Sequence, residues 1–384
     1  MAVLNEEQTM LKDMVTEWVR DRMPVTAVRG LYDHSAGGKQ GDGAGFDAEA
    51  YAEVAAMGWS GICVPEEFGG SDFGTFSLGF VLEELARTLS PLPLLSSALI
   101  AVSALRLGGN AAQQSAWLPL LADGSVVGTL ALEEGAHHRP EAIALTASAV
   151  DGGWRLDGIK RPVADGMGAG LFIVAARSAP ASQTADGITL FLVPADTAGL
   201  TREALDQIDA RRPALLRFEG VTLGADSVLG EAGNGGGLLT ALLDRAYAGQ
   251  AAELLGLATQ AFETTLDYLK TRSQFGQLIG SFQALQHRAS EMFGELQLTR
   301  SAVEAALAAV DANAADLSAL ASLAKATANE TAHRLSCEMV QLHGGIGMTH
   351  EHDAGLYLKR ARVAEQAYGN LSFHRERWAK LNGY

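Results

Sequence analysis

Arg272, Gln274 and Phe275 lie within one short stretch, residues 268–288, which reads YLKTRSQFGQLIGSFQALQHR. They fall where one helical pattern ends and before the next begins. A guanidinium and an amide at a helix end can bind phosphate oxygens, and an aromatic ring beside them offers a stacking face for a flat heterocycle. The same residue types also describe an interhelical corner with a packed Phe and a surface Arg, which is the commoner case when a single corner is all there is. A second stretch, Gln341-Leu342-His343-Gly344-Gly345-Ile346-Gly347, follows a third helical pattern.

The elements that position these residues follow from periodicity. Leu254, Leu257, Ala258, Ala261, Thr265 and Leu269 recur at helical spacing before the corner, and Leu285, Ala289, Met292, Phe293 and Leu296 do so after it. Gly276 and Gly280 break the pattern, and Ser281 is the expected N-cap of the second helix. Residues 317–335 are rich in Ala and Leu without Pro or Gly, which predicts a third helix. At the other end, residues 4–22 form an amphipathic pattern with Asn5 as N-cap and Pro24 beyond its end. Helices are expected again over 47–57, 77–89 and 94–107. Residues 35–45 are a glycine-rich loop without the Gly-Lys-Ser/Thr of a phosphate loop.

From Val126 the character changes. Residues 128–132, 142–150, 154–156, 171–176, 188–193 and 216–221 are short, alternating or β-branched, and bounded by Asp-Gly and Gly-Gly turns. Strands at that spacing predict a sandwich or barrel. From Gly230 the chain reads as helical to its end. The expected fold class is therefore α+β.

The 384 residues are enough for a large core and two or three structural units. A hydrophobic content of 48% and a charged content of 19% are ordinary for a globular protein. The net charge of -16 argues against general affinity for nucleic acid or an anionic membrane, while leaving room for local cations on a phosphate. No apolar run is long enough to span a bilayer, and no basic-then-apolar segment predicts secretion. Cys63 and Cys337 lack metal-like spacing and read as small buried residues. A cytoplasmic location is expected, with no metal site.

Taken together, the two stretches resemble the acyl-CoA dehydrogenase family. The resemblance covers most of the chain and is specific in the C-terminal third. It rests on RxxFG at 272–276 and QxxGG at 341–345. Gly58 to Gly70 is similar to the family's N-terminal turn that borders the acyl pocket. The strongest likeness is to the subgroup of the pimeloyl-CoA dehydrogenase small subunit and the steroid-degrading heteromeric enzymes. It is carried by Gly345-Ile346-Gly347-Met348-Thr349-His350-Glu351-His352, Leu356-Tyr357-Leu358-Lys359-Arg360-Ala361, Tyr368-Gly369-Asn370 and His374-Arg375-Glu376.

The resemblance implies an N-terminal helical domain (1–125), a middle β-barrel or sandwich domain (126–228) and a C-terminal four-helix bundle (229–384). It implies FAD, whose adenosine and pyrophosphate half would meet Arg272, Gln274, Phe275, Gln341, Leu342, Gly344 and Gly345, partly across a subunit boundary. A homo- or heterotetramer with a paralogous subunit is expected for that reason. The implied reaction is α,β-dehydrogenation of an acyl-CoA thioester, with an electron-transfer flavoprotein as acceptor. The subgroup implies a steroid-derived or dicarboxylic acyl group.

The sequence departs from the family's pattern in two places. The usual catalytic carboxylate falls on Gly369, and the alternative position on the helix before RxxFG falls on Ala246. Glu253, seven residues on from Ala246 and on the same helix face, is the candidate base. Its other reading is a helix Glu paired with an Arg or capping a neighbouring helix. Glu365 and Glu376 are weaker candidates, Glu365 as a partner for nearby arginines. The family's isoalloxazine-contacting segments correspond to residues 132–139 and 162–166, where the hydroxyls and the Trp are missing. A chain that completes a partner's FAD site without full chemistry of its own is the rival expectation.

Overall fold

The computed structural model describes residues 4–36, 43–179, 186–209 and 211–384. Residues 37–42 of the glycine-rich loop lie outside them. In chain order the helices are α1 (Glu6–Arg22), α2 (Val25–Ala36), α3 (Ala48–Ala56), α4 (Gly74–Arg87), α5 (Val102–Gly108), α6 (Ala111–Ala122), α7 (Gly235–Thr271), α8 (Gln283–Asp311), α9 (Leu317–His343), α10 (Ala354–Gln366) and α11 (Leu371–Leu381). The strands are β1 (Gly128–Ala131), β2 (Thr146–Val150), β3 (Gly153–Val163), β4 (Leu171–Arg177), β5 (Ile188–Pro194), β6 (Leu200–Ala204), β7 (Ala214–Gly224), β8 (Val228–Leu229), β9 (Ser273–Gln274) and β10 (Gln277–Leu278). The order helical, then β, then helical is the α+β order read from the sequence.

Contacts divide the chain into two compact units. The first comprises Met1–Asp33, Gly79–Ser90 and Tyr247–Tyr384. It is built on α7, whose Leu254, Leu257, Ala258, Ala261, Thr265 and Leu269 are all buried, as their spacing predicts. Gly256 lets α7 approach α4: a Cβ there would lie 2.0 Å from the Glu83 carbonyl oxygen. Glu83 in turn takes a bidentate bond from Arg300 on α8, at 2.6 and 3.0 Å.

Asn5 caps α1 through a capping box with Gln8. Three local expectations need correction. Cys63 is buried as expected, but Cys337 on α9 is exposed. Ser281 does not cap α8. Its hydroxyl donates to the Leu278 carbonyl at 2.7 Å, inside a 3-10 turn, and Phe282 takes the N-cap position. Phe293 is 53% exposed, because the packed stripe of α8 runs through Met292, Leu296, Thr299 and Val303 and leaves Phe293 on its shoulder.

The second unit comprises His34–Leu78 and Pro91–Ala246. Its mixed sheet has the order β6-β7-β3-β2-β4-β5-β8, with β1 parallel to β4. Phe172, Val174 and Ala176 on β4 join Phe191 and Val193 on β5 and Leu216, Phe218 and Val221 on β7 in one buried cluster. A core shared by strands from both ends of the order requires the sheet to curl upon itself. Burying each phenylalanine of that cluster contributes roughly 2–3 kcal/mol. β6 has no counterpart among the expected strands, since most of its side chains are solvated and leave little alternation to read.

Candidate functional site

Phe275 and Gly276 both have positive φ, at 53° and 80°, and they form the two-residue turn between β9 and β10, with Gln274 facing Gln277. Two successive residues at positive φ are the requirement of a tight hairpin, and the second is glycine for that reason. The first is a phenylalanine, a type that rarely adopts this conformation, and it is 91% exposed. The hairpin thus holds an apolar ring out in solvent. Leu278, Ile346 and Met348 are exposed as well. Exposed apolar side chains gathered at one end of a domain mark a surface meant for another molecule.

Arg272 and Gln274 stand on this hairpin. Gln341 stands at the end of α9, and all three side chains are exposed. Among the described residues none of the three has a side-chain hydrogen bond or ion pair. Gly344 turns the chain at φ 62° after α9, and a Cβ on Gly344 or Gly345 would meet nothing within 4 Å. Their backbone is therefore open to close approach. Gly347 differs: a Cβ there would lie 2.6 Å from the Val340 carbonyl oxygen, so it is glycine for packing. The Leu342 side chain is buried in the bundle.

The two segments lie at the same end of the helical unit. The Tyr268 and His343 rings are 4.4 Å apart between centroids, and the His343 and His352 rings are 4.3 Å apart. An unpaired guanidinium, two free amides, an exposed ring and open glycine backbone fit the phosphates and adenine of FAD. FAD, when bound, supplies the hydride acceptor. The residues named here would hold its adenosine and pyrophosphate half.

Glu253 lies on α7 and is 7% exposed. One of its carboxylate oxygens accepts from Arg360 at 2.8 Å and from Gln250 at 2.9 Å. Ala246 is fully buried. Gly369 has φ 99°, and a Cβ there would lie 2.6 Å from the Phe373 ring and 2.9 Å from His374 Nε2. The fold therefore bars a side chain at 369. Glu365 pairs with His333 and Arg362, and the exposed Glu376 pairs with Lys380.

Two buried lysines escaped the sequence reading. Lys325 on α9 is completely buried and donates to Asn329 Oδ1 at 2.7 Å and to the Gly369 carbonyl at 3.1 Å. It also lies 3.4 and 3.5 Å from the Ala364 and Glu365 carbonyls, at the C-terminal end of α10, where a cation is favoured. Burial pushes its ammonium down to about 7. The signal was available: Lys325 sits at helical spacing between Ala321 and Ala328, both buried.

In the sheet unit, Lys160 is also fully buried and pairs with Glu134 at 2.6 Å, while donating to the Leu132 carbonyl at 3.0 Å. Burial holds its ammonium below the usual lysine range. Glu134 further accepts from the Ala144 and Leu145 amides at 2.7 and 2.9 Å. The segment at 132–139 is thus tied down by a carboxylate and a lysine. In the segment at 162–166, Asp165 accepts from Ser96 at 2.5 Å. Among the described residues no group of three or more His, Cys, Asp or Glu side chains could hold a metal ion, and no helix is long and apolar enough to cross a membrane.

Comparison with known proteins agrees with this geometry. Residues 5–125 match the acyl-CoA dehydrogenase N-terminal domain and residues 233–381 the acyl-CoA dehydrogenase C-terminal domain. The acyl-CoA dehydrogenase IpdE2 of Mycolicibacterium smegmatis is 30% identical over 95% of this chain and 96% of its own length. Among solved structures, the steroid ACAD Tcur3481-Tcur3483 has a chain 30% identical, with a TM-score of 0.87 and 98% of each chain covered. The ChsE4-ChsE5 complex of Mycobacterium tuberculosis has one 25% identical, with a TM-score of 0.86 over the whole of both chains. The chain belongs to the acyl-CoA dehydrogenase family of FAD-dependent oxidoreductases.

Proposed function

We propose that the chain is one subunit of a heteromeric acyl-CoA dehydrogenase, and that it supplies FAD contacts to a paralogous subunit which carries the catalytic carboxylate. The observation that carries this reading is Gly369. Its positive φ and the Phe373 ring leave no room for the family's carboxylate at that position. Ala246 offers no base either. Glu253, the remaining candidate, is buried against Arg360, and a carboxylate committed to a guanidinium is a poor proton acceptor. The intact corner of Arg272, Gln274, Phe275, Gln341, Leu342, Gly344 and Gly345 supports a cofactor-binding role.

The substrate in this reading is a CoA thioester with a steroid-derived or dicarboxylic acyl group. The likeness to the steroid ACAD Tcur3481-Tcur3483 supports the steroid-derived acyl group, and the ChsE4-ChsE5 complex supports the pairing of chains. An electron-transfer flavoprotein accepts the electrons, the assembly is a tetramer of two kinds of chain, and it works in the cytoplasm.

The test is the visible spectrum of the chain purified alone and co-purified with a paralogous acyl-CoA dehydrogenase subunit, before and after adding acyl-CoA thioesters. Flavin absorbance that appears and bleaches only in the pair is the expected result. Flavin that bleaches in the lone chain would overturn the reading and return Glu253 to the role of base.

A further inference from the structure

The two segments of the cofactor corner come from different helices, α7 and α9. Among the described residues no hydrogen bond or ion pair joins residues 268–282 to residues 339–349. What joins them is the column of rings, Tyr268 on His343 at 4.4 Å with planes 30° apart, and His343 on His352 at 4.3 Å with planes 45° apart.

Both histidine rings are hydrogen-bonded to backbone, and Tyr268 is linked to the hairpin through its own main chain. The Tyr268 carbonyl accepts the Arg272 amide at 2.9 Å, so fixing Tyr268 fixes the first residue of the hairpin. His343 immediately precedes Gly344, and its Nδ1 donates to the Met339 carbonyl at 2.7 Å, which sets the ring's tautomer and orientation. His352 Nδ1 accepts the Ala354 amide at 3.1 Å and so anchors the loop that follows the glycines.

We propose that the column Tyr268–His343–His352 positions the FAD corner, with His343 as the positioning residue that holds the Arg272 hairpin in place against the Gly344–Gly345 turn. The inference rests on the cofactor reading above. Its chemistry is that of ring packing: His343 is 3% exposed, and burial favours its neutral form. A neutral ring between two others can stack without separating charge.

The experiment uses the co-purified heteromeric complex and follows FAD release by the recovery of free-flavin fluorescence on dilution. His343→Ala removes both ring contacts and is expected to speed release by about tenfold. His343→Phe keeps the ring and loses only the Nδ1 donor, and it is expected to restore release to within about threefold of the parent. Tyr268→Leu, at the half-buried end of the column, is expected to behave like His343→Ala and serves if that variant does not assemble. Arg272→Ala separates the two possible failures. If Arg272→Ala speeds release while His343→Ala and Tyr268→Leu do not, the column has no positioning role and the cofactor reading stands. If Arg272→Ala also leaves release unchanged, the cofactor reading itself falls. Equal acceleration by the Ala and Phe variants of His343 would overturn the assignment to ring packing.

Discussion

Replacing Lys325 by methionine probes a fully buried amine in the helical unit. Burial lowers the ammonium from 10.5 to about 7; Glu365 and Glu253 oppose the fall and Arg360 adds to it. In the unfolded chain a lysine keeps its proton to about pH 10.4. Between pH 7 and that value the unfolded chain therefore holds a proton that the folded chain has released. Stability contributed by this group must rise with pH across the window, by up to about 1.4 kcal/mol per pH unit. Integrated over the whole window, the shift corresponds to roughly 5 kcal/mol. Methionine abolishes the titration. It also leaves Asn329 and the carbonyls of Gly369, Ala364 and Glu365 without their shared donor, at a cost of about 1–3 kcal/mol that does not depend on pH. The slope is the informative quantity. Urea unfolding of parent and variant at steps between about pH 7 and about pH 9 should show the parent gaining on the variant by about 1 kcal/mol or more per unit. A difference that stays flat over that range would mean that Lys325 keeps its proton in the folded chain, and the argument from burial would be refuted.

Three further outcomes are expected. Gly369→Ala should destabilise the chain by about 1–3 kcal/mol in thermal unfolding, because its φ is 99° and the new Cβ meets the Phe373 ring; an unchanged midpoint would remove the steric bar on position 369. Glu253→Gln should lower stability by about 3 kcal/mol, since Arg360 loses its buried counter-charge, yet leave acyl-CoA oxidation by the heteromeric complex within about threefold. Complete loss of turnover with flavin still bound would assign Glu253 as the base. Phe275→Gly should change the stability of the lone chain by less than about 1 kcal/mol, as the ring is 91% exposed and its backbone is already in a glycine conformation. In the complex the same change should weaken FAD retention, and equilibrium dialysis against FAD-free buffer would reveal it.

Much of the fold could be read from periodicity because the long helices bury clean stripes. On α7 the apolar positions 254 to 269 are buried as their spacing demands, and on β4 the continuous apolar run 171–176 is buried throughout, with 172, 174 and 176 in the sheet core. The reading failed where a side chain had two local options. Ser281 could cap α8 or close the preceding 3-10 turn, and sequence alone does not weigh a 2.7 Å bond to Leu278 against a cap. Phe293 shares its helix with a better stripe one residue away. The turns at RxxFG and QxxGG were legible, since glycine is demanded by backbone conformation at 276 and 344. The column that joins them was not, because ring stacking between α7 and α9 depends on tertiary placement. Lys325 was legible in principle, as a lysine on the buried face of an Ala-rich helix.

Position 369 and Lys325 are parts of one buried structure. The 368–370 turn passes through two residues of positive φ, Tyr368 at 54° and Gly369 at 99°. Such a turn persists only where its surroundings determine it. Here they do: His374 Nε2 donates to the Tyr368 carbonyl at 2.8 Å, while Lys325 and Asn329 donate to the Gly369 carbonyl at 3.1 and 3.2 Å. Phe373 fills the space that a side chain at 369 would need. The turn is therefore a fully supported structure and not a catalytic loop with one residue missing. Restoring a carboxylate would require moving Phe373 and His374 as well. Elsewhere in the same unit Gly344 is demanded by its φ of 62°, whereas the open backbone at Gly345 and the unpaired guanidinium of Arg272 answer no need of the lone chain's fold. A turn at 369 closed to side chains and a corner at 272 and 345 left open thus occur within one helical unit, which is the arrangement that the proposed division of labour between paralogous subunits requires.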